Sequence, residues 1–376
     1  MTMTRNGIDQ LPSHASLLRG RRLGLITNPS GVNASLEATA DILARDFTLT
    51  ALFGPEHGIR GDAQAGDAVP DAHDPILNLP VFSLHGRSHH LSDEAFSLVD
   101  ILVYDIQDVG ARFYTYLYTL AYAMADAARH HVPVTVLDRV NPVGCAVTEG
   151  PCLDADRFAS FVGAYPMPTR YALTVGEYAR YVNETFGLGC ELHVIPCSPH
   201  PRDQLFTETG QLWVPPSPNI PTPEAALCYL GTCIFEGTNL SEGRGTTLPF
   251  QLIGAPFLDA PALARDLNAH RLSGLLFRPA HFTPTFSKFA GQLCHGVQLH
   301  VTDPHTARPF EAGIRLLEAI RLQRPGDLIL KPDHLAHLLG DDRLISGAET
   351  AEQLLERARH EAEQFAEQTR PFRLYP

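Results

Sequence analysis

The sequence predicts an α/β fold: a mostly parallel sheet domain followed by a second, smaller α+β domain. Three observations carry this reading. From residue 22 to residue 195 short apolar runs alternate with helical stretches, the pattern of βαβ units. Nearly every predicted strand of that half runs straight into a polar segment containing glycine or proline. The stretch 196–223 is so dense in proline that it cannot form long regular elements, and it marks the crossing between domains.

The elements follow in order. Strands are predicted near 23–27 (LGLIT), 48–53, 80–84, 100–105, 133–138 and 191–195, each a short apolar run bounded by turn residues. Helices fall between several of them. The clearest are 35–45, with Ser35 as N-cap, 113–130, rich in Tyr and Ala, and 174–186, where Thr174 and Glu177 form a capping-box pattern. Beyond the proline-rich crossing come a glycine-rich polar segment, strands at 275–282 and 296–302, and helices near 308–322 and 348–370. The expected domains are 1–225 and 226–376, the smaller one closing a cleft on the larger. No internal repeat is visible.

At 376 residues the chain has room for two domains. Its 44% hydrophobic and 19% charged content is that of a folded globular protein. With 42 acidic against 29 basic residues the formal charge is −13, and no run of Lys or Arg offers a phosphate-binding stripe, which excludes a nucleic-acid partner. No apolar run approaches the roughly 18 residues that a membrane span needs, and the first twenty residues lack the apolar core of an export signal. As written, the chain reads as cytoplasmic, and as periplasmic or secreted if the true N-terminus is longer. Seven cysteines, an odd number without a C-x-x-C pair, read as reduced thiols rather than a disulfide framework or zinc site.

The chemistry gathers in the loops. Segments 27–31 (TNPSG), 54–58 (GPEHG), 85–86, 105–110 (DIQDVG) and 138–142 (DRVNP) each follow a predicted strand, so a parallel sheet brings all five to one edge, where such folds bind ligands. Within that crevice Glu56 sits between a proline and a glycine turn just past a buried strand, a setting that suits a proton donor to a glycosidic oxygen. Alternatively, Glu56 caps a turn or pairs with Arg60 or Arg112. Asp105 and Asp108, with Arg112, Tyr114 and Tyr116, offer carboxylates, a guanidinium and phenols for a sugar ring, or else the aspartates cap the helix expected near Phe113. The segments 216–219 (PSPN) and 236–247 (EGTNLSEGRGTT) are equally polar. The second lacks the Gly-Lys-Ser/Thr ending of a Walker A loop and either clamps an acidic substrate through Arg244 or is an internally bonded loop. The 18 histidines show no metal-ligand spacing, His57 is expected to diverge from its neighbour Glu56, and no G-x-S-x-G elbow is present, so neither a metal site nor a serine esterase is expected.

Taken together and in order, these loops resemble the NamZ-type exo-β-N-acetylmuramidases, formerly a domain-of-unknown-function family. The resemblance rests on GLITNPSGV at 24–32, LFGPEHGIRG at 52–61, DIQDVGARFYTY at 105–116, VLDRVNPVG at 136–144, SFVGAYPMP at 160–168, WVPPSPNIPT at 213–222 and FEGTNLSEGRGTTLPFQLIGAPF at 235–257. It implies a Rossmann-like N-terminal domain, a smaller C-terminal domain and an active site in the cleft between them. It further implies removal of N-acetylmuramic acid from the non-reducing end of peptidoglycan fragments of the MurNAc–GlcNAc type, in cell-wall turnover, without a cofactor or metal. Glu56 is then the catalytic acid, with Asp105, Asp108 or Glu242 assisting. Asn28, His57, Arg60, Arg112, Tyr114, Asn141, Asn219, Glu236, Asn239, Glu242 and Arg244 are the expected cleft residues, and one of Arg60, Arg112 and Arg244 is expected to bind the lactyl carboxylate of the sugar.

The chain departs from the family pattern at four places: Val140 where a proline is usual, Tyr171-Ala172 where His-Gly is common, His200 near a missing tryptophan, and the segment after Leu84 (HGRSHHLSD), which differs from the common tyrosine-containing form. These departures bear on substrate specificity. A related glycosidase on another amino sugar, or a non-catalytic binder of wall fragments, are the alternatives. The joint presence of Glu56, Asp105, Asp108 and Glu242 favours an enzyme over a binder.

Overall fold

In the computed structural model, which describes residues 3–61, 70–86 and 88–376, the first half builds a seven-stranded sheet from β1 (Arg22–Thr27), β2 (Thr48–Gly54), β3 (Ala72–Asp74), β4 (Leu79–Ser83), β5 (Ile101–Asp105), β6 (Val134–Leu137) and β7 (Leu192–Ile195). The spatial order is β3-β4-β2-β1-β5-β6-β7. Every pairing is parallel except that of the edge strand β3, which runs antiparallel to β4. β5 and β6 are buried along their whole length, which is why ILVYD and VTVL read as almost unbroken apolar runs.

The strand order fixes where the loops open. From β1 the chain moves outward through β2 to β4, then returns to the other side of β1 for β5, β6 and β7. Loops leaving the carboxyl ends of β1 and β5 therefore diverge, and such a switch point is where open α/β sheets hold ligands.

The second half adds a three-stranded antiparallel sheet, in the order β8-β10-β9, from β8 (Leu252–Ala255), β9 (Leu275–Phe282) and β10 (Cys294–Val301). The longer helices of this half are Pro223–Thr232, Ala260–Ala269, Pro309–Gln323, Pro332–Leu339 and Ala351–Gln368. One apolar core runs through both halves, and Phe113 meets Tyr229 edge-on across them at 5.0 Å.

The capping box forms as expected: Thr174 Oγ1 accepts from Glu177 N at 3.2 Å and Glu177 Oε2 from Thr174 N at 3.1 Å, opening the helix Val175–Thr185. Ser35, by contrast, is no N-cap. Asn33 Oδ1 accepts from the amides of Ser35 and Glu37, a local turn that delays the helix to Thr39–Asp46. The helix expected from 113 starts at Tyr116, because residues 113–115 still belong to the turn leaving β5. Between β7 and the helix Pro223–Thr232 only one short 3₁₀ turn, Phe206–Glu208, interrupts the proline-rich crossing. β8 was not expected, since four residues containing a glycine carry too little pattern. No helix among the described residues is long and apolar enough to cross a membrane.

Candidate active site

A pocket of about 690 Å³ opens at the switch point, lined from the first half by Glu56, His57, Phe113, Tyr114, Thr115, Tyr116, Val162, Ser217, Asn219 and Ile220. The second half supplies Tyr229, Cys233, Glu236, Arg244, Phe250, Phe286, Ser287 and Leu338. Aromatic faces with a few polar groups between them suit a sugar, which presents apolar ring faces and a rim of hydroxyls.

Glu56 stands on the turn after β2. Gly58 N donates to Pro55 O at 2.9 Å, and His57 adopts a left-handed φ of 72°. That conformation turns the chain so that Glu56 and His57 both line the pocket instead of diverging. Thr115 Oγ1 donates to Glu56 Oε2 at 2.8 Å. Tyr116 Oη donates to Pro216 O at 2.9 Å, the same carbonyl that accepts from Asn28 Nδ2 at 2.8 Å. Loops following β1, β2 and β5 are thereby tied to the 216–220 segment. Phe250 and Ser287, also in the lining, share the left-handed region with φ of 64° and 69°. Backbone held this way costs free energy and persists where the surroundings over-determine it, which is common at ligand sites.

On the opposite wall Arg244 Nη1 donates to Glu236 Oε1 at 2.6 Å and to Glu242 Oε1 at 3.0 Å. Lys288 Nζ closes the network on Glu242 Oε2 at 2.9 Å and on the carbonyls of Phe235 and Leu240. Gly245 permits this loop to pack: a Cβ there would lie 2.5 Å from Phe286 O, and its φ is +80°. Burial pushes the Glu236 carboxyl up, but the His334 imidazole 3.9 Å away and the Arg244 charge more than offset it, leaving it below the usual carboxylate range. Burial also works against the Arg244 charge, and the two glutamates overcome it. Glu236 and Arg244 therefore face the pocket ionised.

Of the expected site residues the structure brings Glu56, His57, Tyr114, Asn219, Glu236 and Arg244 into the lining. The others lie elsewhere, each for a visible reason. Asp105 is fully buried, where both its oxygens accept from Arg139 and one also from Thr39. Asp108 is buried beneath the tyrosines, accepting from Tyr171 Oη and Gly110 N. Burial raises its carboxyl to about 6 despite those bonds. Glu242 stands behind Arg244, 2% exposed. None of the three supplies the second pocket carboxylate. Beside Glu56, the carboxylate among the described lining residues is Glu236.

Arg60 pairs with Asp74, and Arg112 is fully buried with its guanidinium on the carbonyls of His337 and Leu338. Asn28 and Asn141 brace loops, the latter donating to Leu173 O at 2.9 Å. Asn239 holds the segment before Leu330 through Asp327 O and Ile329 N. Of the three arginines weighed for an anionic substrate, only Arg244 reaches the pocket.

Of the departures from the family pattern, Val140, Tyr171, Ala172 and His200 all lie outside the pocket lining. Val140 packs with Cys197, Phe206 and Tyr375, and His200 lies edge-on to Tyr375 at 4.9 Å. Tyr171 serves Asp108. The sequence reading missed Thr115, although it lies inside the FYTY stretch, and it missed Tyr229, Phe250, Phe286 and Ser287. Phe250 lies inside the quoted 235–257 stretch, whereas Tyr229, Phe286 and Ser287 carry no local signal, since only the tertiary fold turns them to the pocket.

Comparison with known proteins agrees along the whole chain. The family model for the N-terminal part of exo-β-N-acetylmuramidase NamZ matches residues 23–224, and that for the C-terminal part matches 227–375. The peptidoglycan β-N-acetylmuramidase NamZ of Bacillus subtilis (strain 168) is 49% identical over 326 residues, 86% of this chain and 78% of that protein. Two crystal structures of DUF1343 family proteins from Bacteroides fragilis share the fold. One has a TM-score of 0.93 at 33% identity over the full length of both chains, the other 0.79 at 31% over 99% of each.

Proposed function

The chain belongs to the NamZ exo-β-N-acetylmuramidase family, and on that premise we propose that its pocket takes the terminal N-acetylmuramic acid of a MurNAc–GlcNAc-type fragment. It is a glycoside hydrolase of peptidoglycan. One observation carries the assignment of residues: among the described residues lining the pocket, the carboxylates are Glu56 and Glu236.

Glycosidic cleavage needs one carboxyl group to protonate the departing oxygen and a second to face the positive charge developing at the anomeric carbon. Glu236 is committed to Arg244 and held ionised, so the proton donor is Glu56. As the bond breaks, the proton of Glu56 passes to the leaving oxygen and the ring charge is met by Glu236. Water then adds its hydroxyl to the anomeric carbon, and the proton it releases restores Glu56 to its acid form. Arg244, sharing only Nη1 with its two glutamates, leaves Nη2 for the lactyl carboxylate. In this reading residues 1–225 supply the acid and 226–376 close the cleft over the substrate.

The test is release of N-acetylmuramic acid from a β-linked MurNAc–GlcNAc disaccharide by wild type, Glu56→Gln and Glu236→Gln, each verified as folded by circular dichroism. Wild type is expected to cleave, and Glu56→Gln to lose about two orders of magnitude or more, as on removal of a general acid. A folded wild type without activity would reject the substrate. Full activity in Glu56→Gln would place the acid on another group.

A further inference from the structure

Beside the pocket, outside the lining described above, lies a group of aromatic rings. Ser160 and Gly163 exchange backbone hydrogen bonds at 2.7 and 3.1 Å, so Phe161 and Val162 form the tip of a tight turn. Val162 points into the pocket. Phe161 instead lies against His89, ring centroids 3.9 Å apart and planes within 12°. His85 joins them at 5.6 Å from Phe161 and 5.8 Å from His89. Tyr122, from the helix Tyr116–Arg129, stacks nearly parallel to Phe161, their centroids 6.4 Å apart. His89 Nδ1 on Leu84 O at 3.3 Å fixes its ring to the end of β4.

Two features make this more than a packed surface cluster. All four rings are only partly buried, so the cluster keeps an exposed side. And the cluster adjoins the acid: the His85 imidazole, lowered first by burial, feels the charges of Glu56, His57 and His89. His85 Nδ1 is buried and has no hydrogen-bond partner among the described residues, which leaves an unmet polar atom within the cluster.

We propose that His85, His89 and Phe161 form the subsite for the sugar on the leaving side of the scissile bond, an N-acetylhexosamine pyranose stacked by its apolar face. The inference rests on the proposed function, because a leaving-side sugar exists only if the pocket holds the terminal one. The geometry supports it. The oxygen that Glu56 protonates belongs to the leaving sugar, so that sugar must lie next to Glu56 and outside the pocket that holds the terminal ring. The aromatic group occupies such a position, joined to the lining at Val162 and to Glu56 through His85. Stacking of a pyranose face on an aromatic ring supplies affinity, and the imidazole nitrogen of His85 a hydrogen bond.

The experiment compares two substrates that differ only after the scissile bond: a β-linked MurNAc–GlcNAc disaccharide and N-acetylmuramyl β-fluoride, whose leaving group is a single atom. Phe161→Ala and His89→Ala are expected to lower kcat/KM for the disaccharide at least tenfold more than for the fluoride, mostly through KM. Phe161→Trp and His89→Phe, which keep an aromatic face, should restore the ratio. An equal loss on both substrates would show that the rings merely support the pocket and would overturn the subsite, as would no loss on either. A wild type that cleaves neither substrate would instead overturn the proposed function, so the two failures are distinguishable.

Discussion

Thr115 Oγ1 donates to Oε2 of Glu56 at 2.8 Å, joining the turn after β2 to the turn after β5 across β1. The hydroxyl sets the direction in which the carboxyl group faces the pocket. Thr115→Val keeps the shape and removes the donor. A hydrogen bond to a carboxylate is worth about 1.5–3 kcal/mol, and much of that is lost here only as orientation, so kcat is expected to fall roughly tenfold with KM nearly unchanged. A change confined to KM would mean that Thr115 contacts substrate rather than positioning Glu56.

That relationship was only half legible in the sequence. The loops after parallel strands announce themselves by glycine, proline and polar residues, and the turn that brings Glu56 to the pocket was readable from Pro55 and Gly58. Which acidic residue joins it was not, because Asp105 and Asp108 look as available in the sequence as Glu236 does. Only the fold reveals that Arg139 and Tyr171 already engage them.

Asp105 therefore has a structural consequence rather than a chemical one. Its side chain is fully buried and Arg139 is 4% exposed. Asp105→Ala leaves a buried guanidinium uncompensated and is expected to destabilise the protein by about 3–5 kcal/mol. Urea denaturation would read the loss, while the protein that remains folded keeps its kcat. Glu56→Gln should show the reverse pattern, lost turnover with an unchanged midpoint.

Ala172 stands where the family pattern has glycine, and the structure gives it a φ of 54°. Its carbonyl is held by Arg202 Nη2 at 2.7 Å, so the backbone has no freedom to relax. A left-handed non-glycine residue costs about 1–2 kcal/mol, from which glycine's greater unfolded-state entropy subtracts about 0.5–1 kcal/mol. Ala172→Gly is expected to stabilise the protein by the difference, about 0.5–1 kcal/mol. A lower thermal midpoint in the variant would contradict this.

The first half of the fold was readable because its strands are buried on both faces and its turns carry proline and glycine. The second half was less so. β8 is four residues long, and the helices Pro223–Thr232 and Ala260–Ala269 are short and rich in alanine, so hydrophobic periodicity had little length to act on. The pocket wall built by Phe250, Phe286 and Ser287 depends on how those pieces pack, which no local pattern encodes.

Glu149 gives the protein a pH-dependent stability. Burial raises its carboxyl from 4.5 to about 7, against the pull of Arg170, while Oε1 accepts from the amide of Glu311 at 3.1 Å. The folded state thus holds this proton more tightly than the unfolded chain does. Its contribution is greatest at low pH, falls as pH rises from about 4.5, and levels off above about 7. Each tenfold difference in proton affinity between the two states is worth about 1.4 kcal/mol at most. Glu149→Gln keeps the acceptor and cannot ionise. The variant should gain on wild type in thermal midpoint between about pH 5 and about pH 7.5, and parallel pH profiles would refute the assignment.

Arg244 ties the pocket wall together and, in the proposed function, meets the charge of the substrate. Its Nη1 bridges Glu236 and Glu242, and its Nε is buried without a hydrogen-bond partner among the described residues. Removing the side chain outright would set two carboxylates against each other, so loss of activity in Arg244→Ala could not separate binding from collapse of the wall. Arg244→Lys keeps the charge between the glutamates but gives up the planar fork that matches a carboxylate. The useful quantity is then a ratio: kcat/KM for a β-N-acetylmuramide over that for the β-N-acetylglucosaminide, which lacks the lactyl group. If Arg244 holds the lactyl carboxylate, Arg244→Lys lowers the ratio about tenfold, the worth of one charge-assisted hydrogen bond of about 1.4 kcal/mol. A residue that only braced Glu236 would lower both substrates together and leave the ratio where it was.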